Sequence, residues 1–169
     1  MATNALKKSE SFETGERAEN IFERVAKKEH FKVYKANRDQ NINQHIDFFI
    51  SCYHFNFSVD VKARKKINRG DSEVNDAWTW IEFKNVRGRP GWLYGKADYI
   101  AFEREFDFLL VNRYKLIEFC EDKIDLENIV PSTHLAEYAA YQRKGRKDLI
   151  SRVYMDDINK LEGNIILKK

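Results

Sequence analysis

The sequence is poor in the residues that mark several large protein classes. Only two cysteines occur among 169 residues, Cys52 and Cys120, with no CxxC pair, and His30, His45, His54 and His134 show no paired spacing. That excludes a disulfide-stapled scaffold and a tetrahedral zinc site, and free thiols in a reducing compartment fit best. Prolines are also scarce, Pro90 and Pro131 alone. With no repeat or low-complexity segment either, no interdomain linker is expected. No apolar stretch of about 18 residues is present, and no apolar run follows Lys7 and Lys8, so a soluble, unsecreted, cytoplasmic protein with no membrane partner is expected. Neither charge sign dominates: 30 Lys and Arg stand against 27 Asp and Glu, for a net charge of +3. A polyanionic partner must therefore be argued from where the charges fall.

Hydrophobic residues make up 43% of the chain and aromatics 14%, enough for one core. The organisation expected is a loose, flexible tail over residues 1–13 and a single domain over 14–169. A helix should open near Thr14 and Gly15, because Ala18, Ile21, Phe22, Val25 and Ala26 follow the spacing of one helical face. Residues 31–35 alternate as a short strand, 37–44 read as a polar loop, and 45–50 form an apolar strand containing one acid. In the next strand Phe55, Phe57, Val59 and Val61 alternate with Asn56, Ser58, Asp60 and Lys62, which puts the second group on one face. Strands are further expected over 78–84, 97–102 and 106–111, a turn-rich loop over 87–91 and a helix over 114–123. Residues 125–169 read as polar and helical, with a strand-like end at Ile165, Ile166 and Leu167. The fold class is mixed α/β, a central sheet flanked by helices.

Two acids stand out. Asp47 interrupts the apolar run Ile46-Asp47-Phe48-Phe49-Ile50, where a carboxylate without a partner is costly. A strand-end acid held by a loop amide or a lysine would explain it structurally. Asp60 and Lys62 offer more: if their strand lies beside that of Asp47, two carboxylates and an ammonium can meet around one metal ion. Carboxylate-held Mg²⁺ can activate water and relieve charge during phosphodiester hydrolysis, and a lysine there can polarise the attacking water.

Ile46-Asp47-Phe48 followed by Val59-Asp60-Val61-Lys62 resembles the motif of the PD-(D/E)XK nuclease superfamily, particularly its Holliday-junction-resolvase-like branch. The resemblance covers Gly15 to Arg64, about a third of the chain. It implies a restriction-endonuclease-like αβββαβ core and a metal-dependent endonuclease acting on DNA. Asp47 and Asp60 would be metal ligands with the backbone carbonyl of Val61, and Lys62 would position the water. The cofactor implied is Mg²⁺, for which Mn²⁺ can substitute. Members often carry a glutamate on the first helix, and Glu19, about 100° from Ala18 at the border of the apolar face, is the candidate. Glu82-Phe83-Lys84 is a second (D/E)xK and offers an alternative register, with Asp60 as the upstream acid; otherwise Glu82 and Lys84 are supporting or DNA-facing groups.

Two segments suit phosphate and base contacts. Arg64, Lys65, Lys66 and Arg69 follow the DxK strand directly, and Arg87, Arg89, Trp92, Tyr94 and Lys96 share a loop with glycines that let backbone approach a ligand. The cations Arg143, Lys144, Arg146 and Lys147 read as a solvated face. Two other functions compete with the nuclease. A binding module that has lost its chemistry would hold DNA equally well in chelator and never cut it. A structural or inhibitory protein would dock its aromatic loop on a protein partner with little response to salt. A two-fold homodimer would suit paired cuts on opposed strands.

Overall fold

The computed structural model describes residues 2–66 and 71–169, of which 2–11 as backbone only. Its first element, α1 (Ala2–Lys28), starts well before Thr14. Nothing in the preceding polar stretch breaks a helix, since no proline precedes Pro90 and Gly15 is the first glycine. Lys27 and Lys28 in the last turn suit the negative end of the helix, and the chain leaves through left-handed His30 (φ 65°). The expected apolar face is buried: Ala18, Phe22 and Ala26 have no exposed surface. The Phe22 ring packs edge-on against Phe108 at 5.3 Å and tilted against Phe48 at 5.6 Å. Burying a side chain of this size stabilises the fold by roughly 1.5–3 kcal/mol.

After β1 (Lys32–Lys35) the chain forms α2 (Arg38–Gln44), in place of the expected polar loop. Its signature is a capping box. The Asn37 side-chain oxygen Oδ1 accepts from Gln40 N, while Gln40 Oε1 accepts from Asn37 N. Strands β2 (Phe48–Cys52) and β3 (Phe55–Lys62) then form a tight hairpin, followed by β4 (Trp78–Lys84), β5 (Tyr99–Glu103) and β6 (Asp107–Asn112). Next come α3 (Arg113–Lys123), β7 (Asp125–Val130), β8 (Ala139–Tyr141), β9 (Leu149–Tyr154), α4 (Met155–Asn159) and β10 (Ile165–Lys168). The helical expectation for 125–169 is thus wrong apart from short α4 and the terminal strand. Buried positions in β9 recur every second residue, at Leu149, Ser151 and Val153, which is strand periodicity that a polar residue on the buried face conceals.

Six strands form a mixed sheet in the order β1-β2-β3-β5-β6-β10, and the other four form a second sheet, β4-β9-β8-β7. Helix α1 covers one face of the larger sheet through Phe48, Ile50, Val59, Val61, Ala101, Phe108 and Leu110. The opposite face, with Ile100, Phe102, Leu109 and Val111, packs on α3, α4 and the second sheet. The class is mixed α/β as expected, but that face is covered by a sheet as well as helices. The helix expected between the third strand and the next core strand is replaced by β4 and one 3₁₀ turn, Trp92–Tyr94, before the chain returns to pair β5 parallel with β3.

Candidate active site

The site forms where β2 begins and β3 ends. These strands are antiparallel, with Phe48 opposite Val59, which brings Asp47 to Asp60. The Asp47 backbone N–H donates to the Val59 carbonyl at 2.8 Å, and the Val61 N–H donates to the Asp47 carboxylate at 2.7 Å. The other Asp47 oxygen accepts from the Asn41 amide at 2.6 Å. Asp47 is half-buried with one donor on each oxygen, which holds the strand end and leaves a second lone pair on each for another ligand. Asn41 lies on α2, inside the segment whose polar residues read as loop from sequence.

Asp60 differs. It is 3% exposed, and Lys62 Nζ lies 2.6 Å from its Oδ1 on the same strand face. Its Oδ2 is buried with no hydrogen-bond donor among the described residues. Burial raises the Asp60 carboxyl to about 7; the Lys62 charge opposes the rise and Asp47, within hydrogen-bonding reach, adds to it. On α1, Glu19 is half-buried and also rises to about 7, first through burial and then through the charge of Asp47. Glu19, Asp47, Asp60 and Lys62 therefore form one electrostatically linked group. Even so, among the described residues no three Asp, Glu, His or Cys side chains close into a metal-holding cluster.

Lys62 is fixed from several sides. Its ammonium sits 5.1 Å from the centre of the Trp92 ring, a cation–π contact, and it is within electrostatic reach of Glu82. Glu82 arrives from the edge of the second sheet, where its carboxylate accepts weakly from Trp92 N at 3.4 Å; burial raises its pKa. The fold therefore brings the acid of the alternative motif toward Lys62. Strand β4 does not pair with β3, however, and Lys84 is exposed beyond a bulge. His45, in left-handed conformation at the end of α2, packs its Cβ against Gly95, and burial lowers its pKa.

The expected nucleic-acid contacts divide. Lys65 and Lys66 are exposed beyond the strand end, whereas Arg64 is bound to Asp76 at 2.6 Å. Arg69 lies outside the described residues. Arg87, Arg89 and Lys96 are exposed. Trp92 is 8% exposed within the core, packed edge-on to Phe102 at 6.1 Å, and cannot offer a ring face to a base. The Tyr94 hydroxyl donates to Glu121 at 2.8 Å. Asp98 binds the N–H and hydroxyl of Ser58 and serves as a link between β3 and β5.

Comparison of the sequence with protein-family models, with curated proteins and with solved structures finds no match in any of the three. Among the described residues no helix is long and apolar enough to cross a membrane.

Proposed function

We propose that the protein is a metal-dependent endonuclease of the PD-(D/E)XK type that hydrolyses DNA phosphodiester bonds. The observation that carries this reading is Asp60: a buried carboxylate beside a second one, salt-bridged to Lys62 through one oxygen and, among the described residues, left with no donor to the other. Burying a carboxylate costs stability, and such strongly perturbed groups cluster at functional sites. The antiparallel run β1-β2-β3 behind α1, with Asp47 at the start of β2 beside Asp60 on β3 and Glu19 on α1, supports the finer assignment to a restriction-endonuclease-like core, in which β4 and a 3₁₀ turn stand where the second helix is expected.

The donor set fits Mg²⁺ or Mn²⁺, which take hard oxygen ligands and commonly bind through only one or two carboxylates, keeping water and substrate oxygens for the rest. Asp47 and Asp60 would hold the ion, with the Val61 carbonyl as a further ligand. When bound, it would lower the pKa of water and neutralise charge on the phosphate. The residues around it divide the remaining work. Lys62, steered by Trp92 and Asp60, orients the attacking water and balances developing charge. Glu19, with its raised pKa, is placed to accept a proton on the α1 side. Asn41 keeps Asp47 in place.

The test is incubation with supercoiled plasmid, branched DNA and single-stranded DNA, with Mg²⁺, Mn²⁺ or chelator, beside Asp60→Ala. Metal-dependent nicking by the wild type alone is expected. Absence of cleavage on every substrate would overturn the reading in favour of a binding module.

A further inference from the structure

The run Arg143 to Lys147 gives no sign of function in sequence, yet the fold joins it to the first basic loop. Lys147 N donates to the Val86 carbonyl at 3.3 Å, and the Lys147 side chain packs against Gly88, where an added Cβ would sit 3.2 Å from it. Gly88 has φ 78° and lets the loop curl beneath that lysine. The two segments, 84–96 and 141–147, contain Lys84, Arg87, Arg89, Lys96, Arg143, Lys144, Arg146 and Lys147 and not one acid. Arg87, Arg89, Lys144, Arg146 and Lys147 are all exposed. Arg143 pairs with the buried Asp148. Loop 85–91 runs directly into Trp92, whose ring centre lies 5.1 Å from the Lys62 ammonium, so the joined loops adjoin Lys62.

Arg87, Arg89, Lys144, Arg146 and Lys147, exposed and with no acid in either loop, repel one another and are stabilised by an anion spanning them. The rings nearby are engaged, Trp92 in the core and Tyr94 with Glu121, so this surface offers charge and few stacking platforms. A surface of that kind grips a backbone whose bases are turned inward, which is a duplex.

We propose that loops 85–91 and 142–147 act as one phosphate-binding surface that seats double-stranded DNA beside Lys62. This rests on the nuclease reading for its purpose, but binding in chelator scores it separately from any cleavage. Affinity for a labelled 30-base-pair duplex and for a matched single strand would be measured by fluorescence anisotropy in EDTA across a salt series. The proteins compared are the wild type, Arg87→Ala/Arg89→Ala and Lys144→Ala/Arg146→Ala/Lys147→Ala, with a circular-dichroism melt of each to confirm folding. The wild type should prefer duplex. Both variants should bind it at least tenfold more weakly, and the slope of log affinity against log salt should flatten by about 0.9 for each phosphate that is no longer neutralised. Unchanged binding by the second variant, or a wild type that prefers the single strand, would overturn the proposal. Binding that follows this pattern in a protein that never cuts would reject the nuclease reading and leave the surface standing.

Discussion

Lys62 Nζ and Asp60 Oδ1 are 2.6 Å apart, yet this ion pair does not balance its acid: burial lifts the Asp60 carboxyl from 3.8 to about 7. Between those values the folded protein keeps a proton that the unfolded chain releases, so stability falls as pH rises through the window. The penalty is absent below about pH 4 and complete above about pH 7. Asp60→Asn removes the titration. In chelator the variant should therefore exceed wild type in stability at pH 8 by on the order of 2–4 kcal/mol and lose that advantage at pH 4. Urea unfolding at both pH values measures it, and an equal difference at the two would show that Asp60 does not titrate in this way.

Lys62 has two neighbours that fix it, the Asp60 carboxylate and the Trp92 ring, and in the proposed nuclease its task is proton and charge management at the scissile phosphate. Lys62→Met keeps the aliphatic stem over the ring and removes only the cation. Single-turnover cleavage should fall by about 10²-fold or more, with duplex affinity in chelator little changed and thermal stability lowered above neutral pH, where buried Asp60 loses its cation. A parallel loss of binding would make Lys62 a phosphate contact instead.

The two motif registers separate by substitution. Asp47 adjoins Asp60 on a paired strand, while Glu82 comes from the other sheet and is partly committed to Trp92 N. Asp47→Asn retains an oxygen for Val61 N–H and should still fold, but should lose metal-dependent cleavage by about 10²-fold or more. Glu82→Gln should cost less than about tenfold. The reverse ranking would give the metal site to Glu82.

Much of the site is legible in the sequence because strand periodicity is short-range. The alternation from Phe55 to Lys62 places Asp60 and Lys62 on one face, and the spacing of Ala18, Phe22, Val25 and Ala26 marks the buried face of α1. What escapes is set by contacts distant in sequence. Trp92 looks like a ligand-facing ring because composition does not distinguish a buried aromatic in a glycine-rich loop from an exposed one. The run Arg143 to Lys147 looks solvated because its neighbour, the Gly88 turn, is more than fifty residues away. Residues 125–169 read as helix because in β9 hydrophobicity does not alternate: Ser151 is buried between Leu149 and Val153 while Ile150 and Tyr154 lie on the other face. The capping box at Asn37 and Gln40 is different: it is a local signal, present in the sequence but hidden in a stretch whose polarity alone suggests a loop.

Gly91 marks the closest approach of the Trp92 loop to β4. Its φ is ordinary, so the requirement is space: a Cβ there would overlap the Glu82 carbonyl oxygen and sit 2.9 Å from the Glu82 Cγ. Gly91→Ala must push the loop from the strand, breaking the bond from Gly91 N to the Phe83 carbonyl and dislodging Trp92 from Lys62. A loss of about 1–3 kcal/mol is expected, along with lowered cleavage, measured by thermal melt and plasmid nicking. A variant as stable and active as wild type would mean that the loop sits further from β4.

Gly15 tests the start of α1 in the opposite direction. In a helix running from Ala2 to Lys28 it is interior, with open space around its Cα, so alanine adds no clash and removes the entropic cost of glycine. Gly15→Ala should then stabilise the protein by about 0.5–1 kcal/mol and raise the melting temperature by roughly 1–4 °C. Were the helix instead to open at Thr14 and Gly15, as its apolar pattern alone suggests, the glycine would lie at the cap, where alanine is disfavoured, and the substitution would lower stability. Calorimetry on the two proteins decides by sign alone, independently of any catalytic assay.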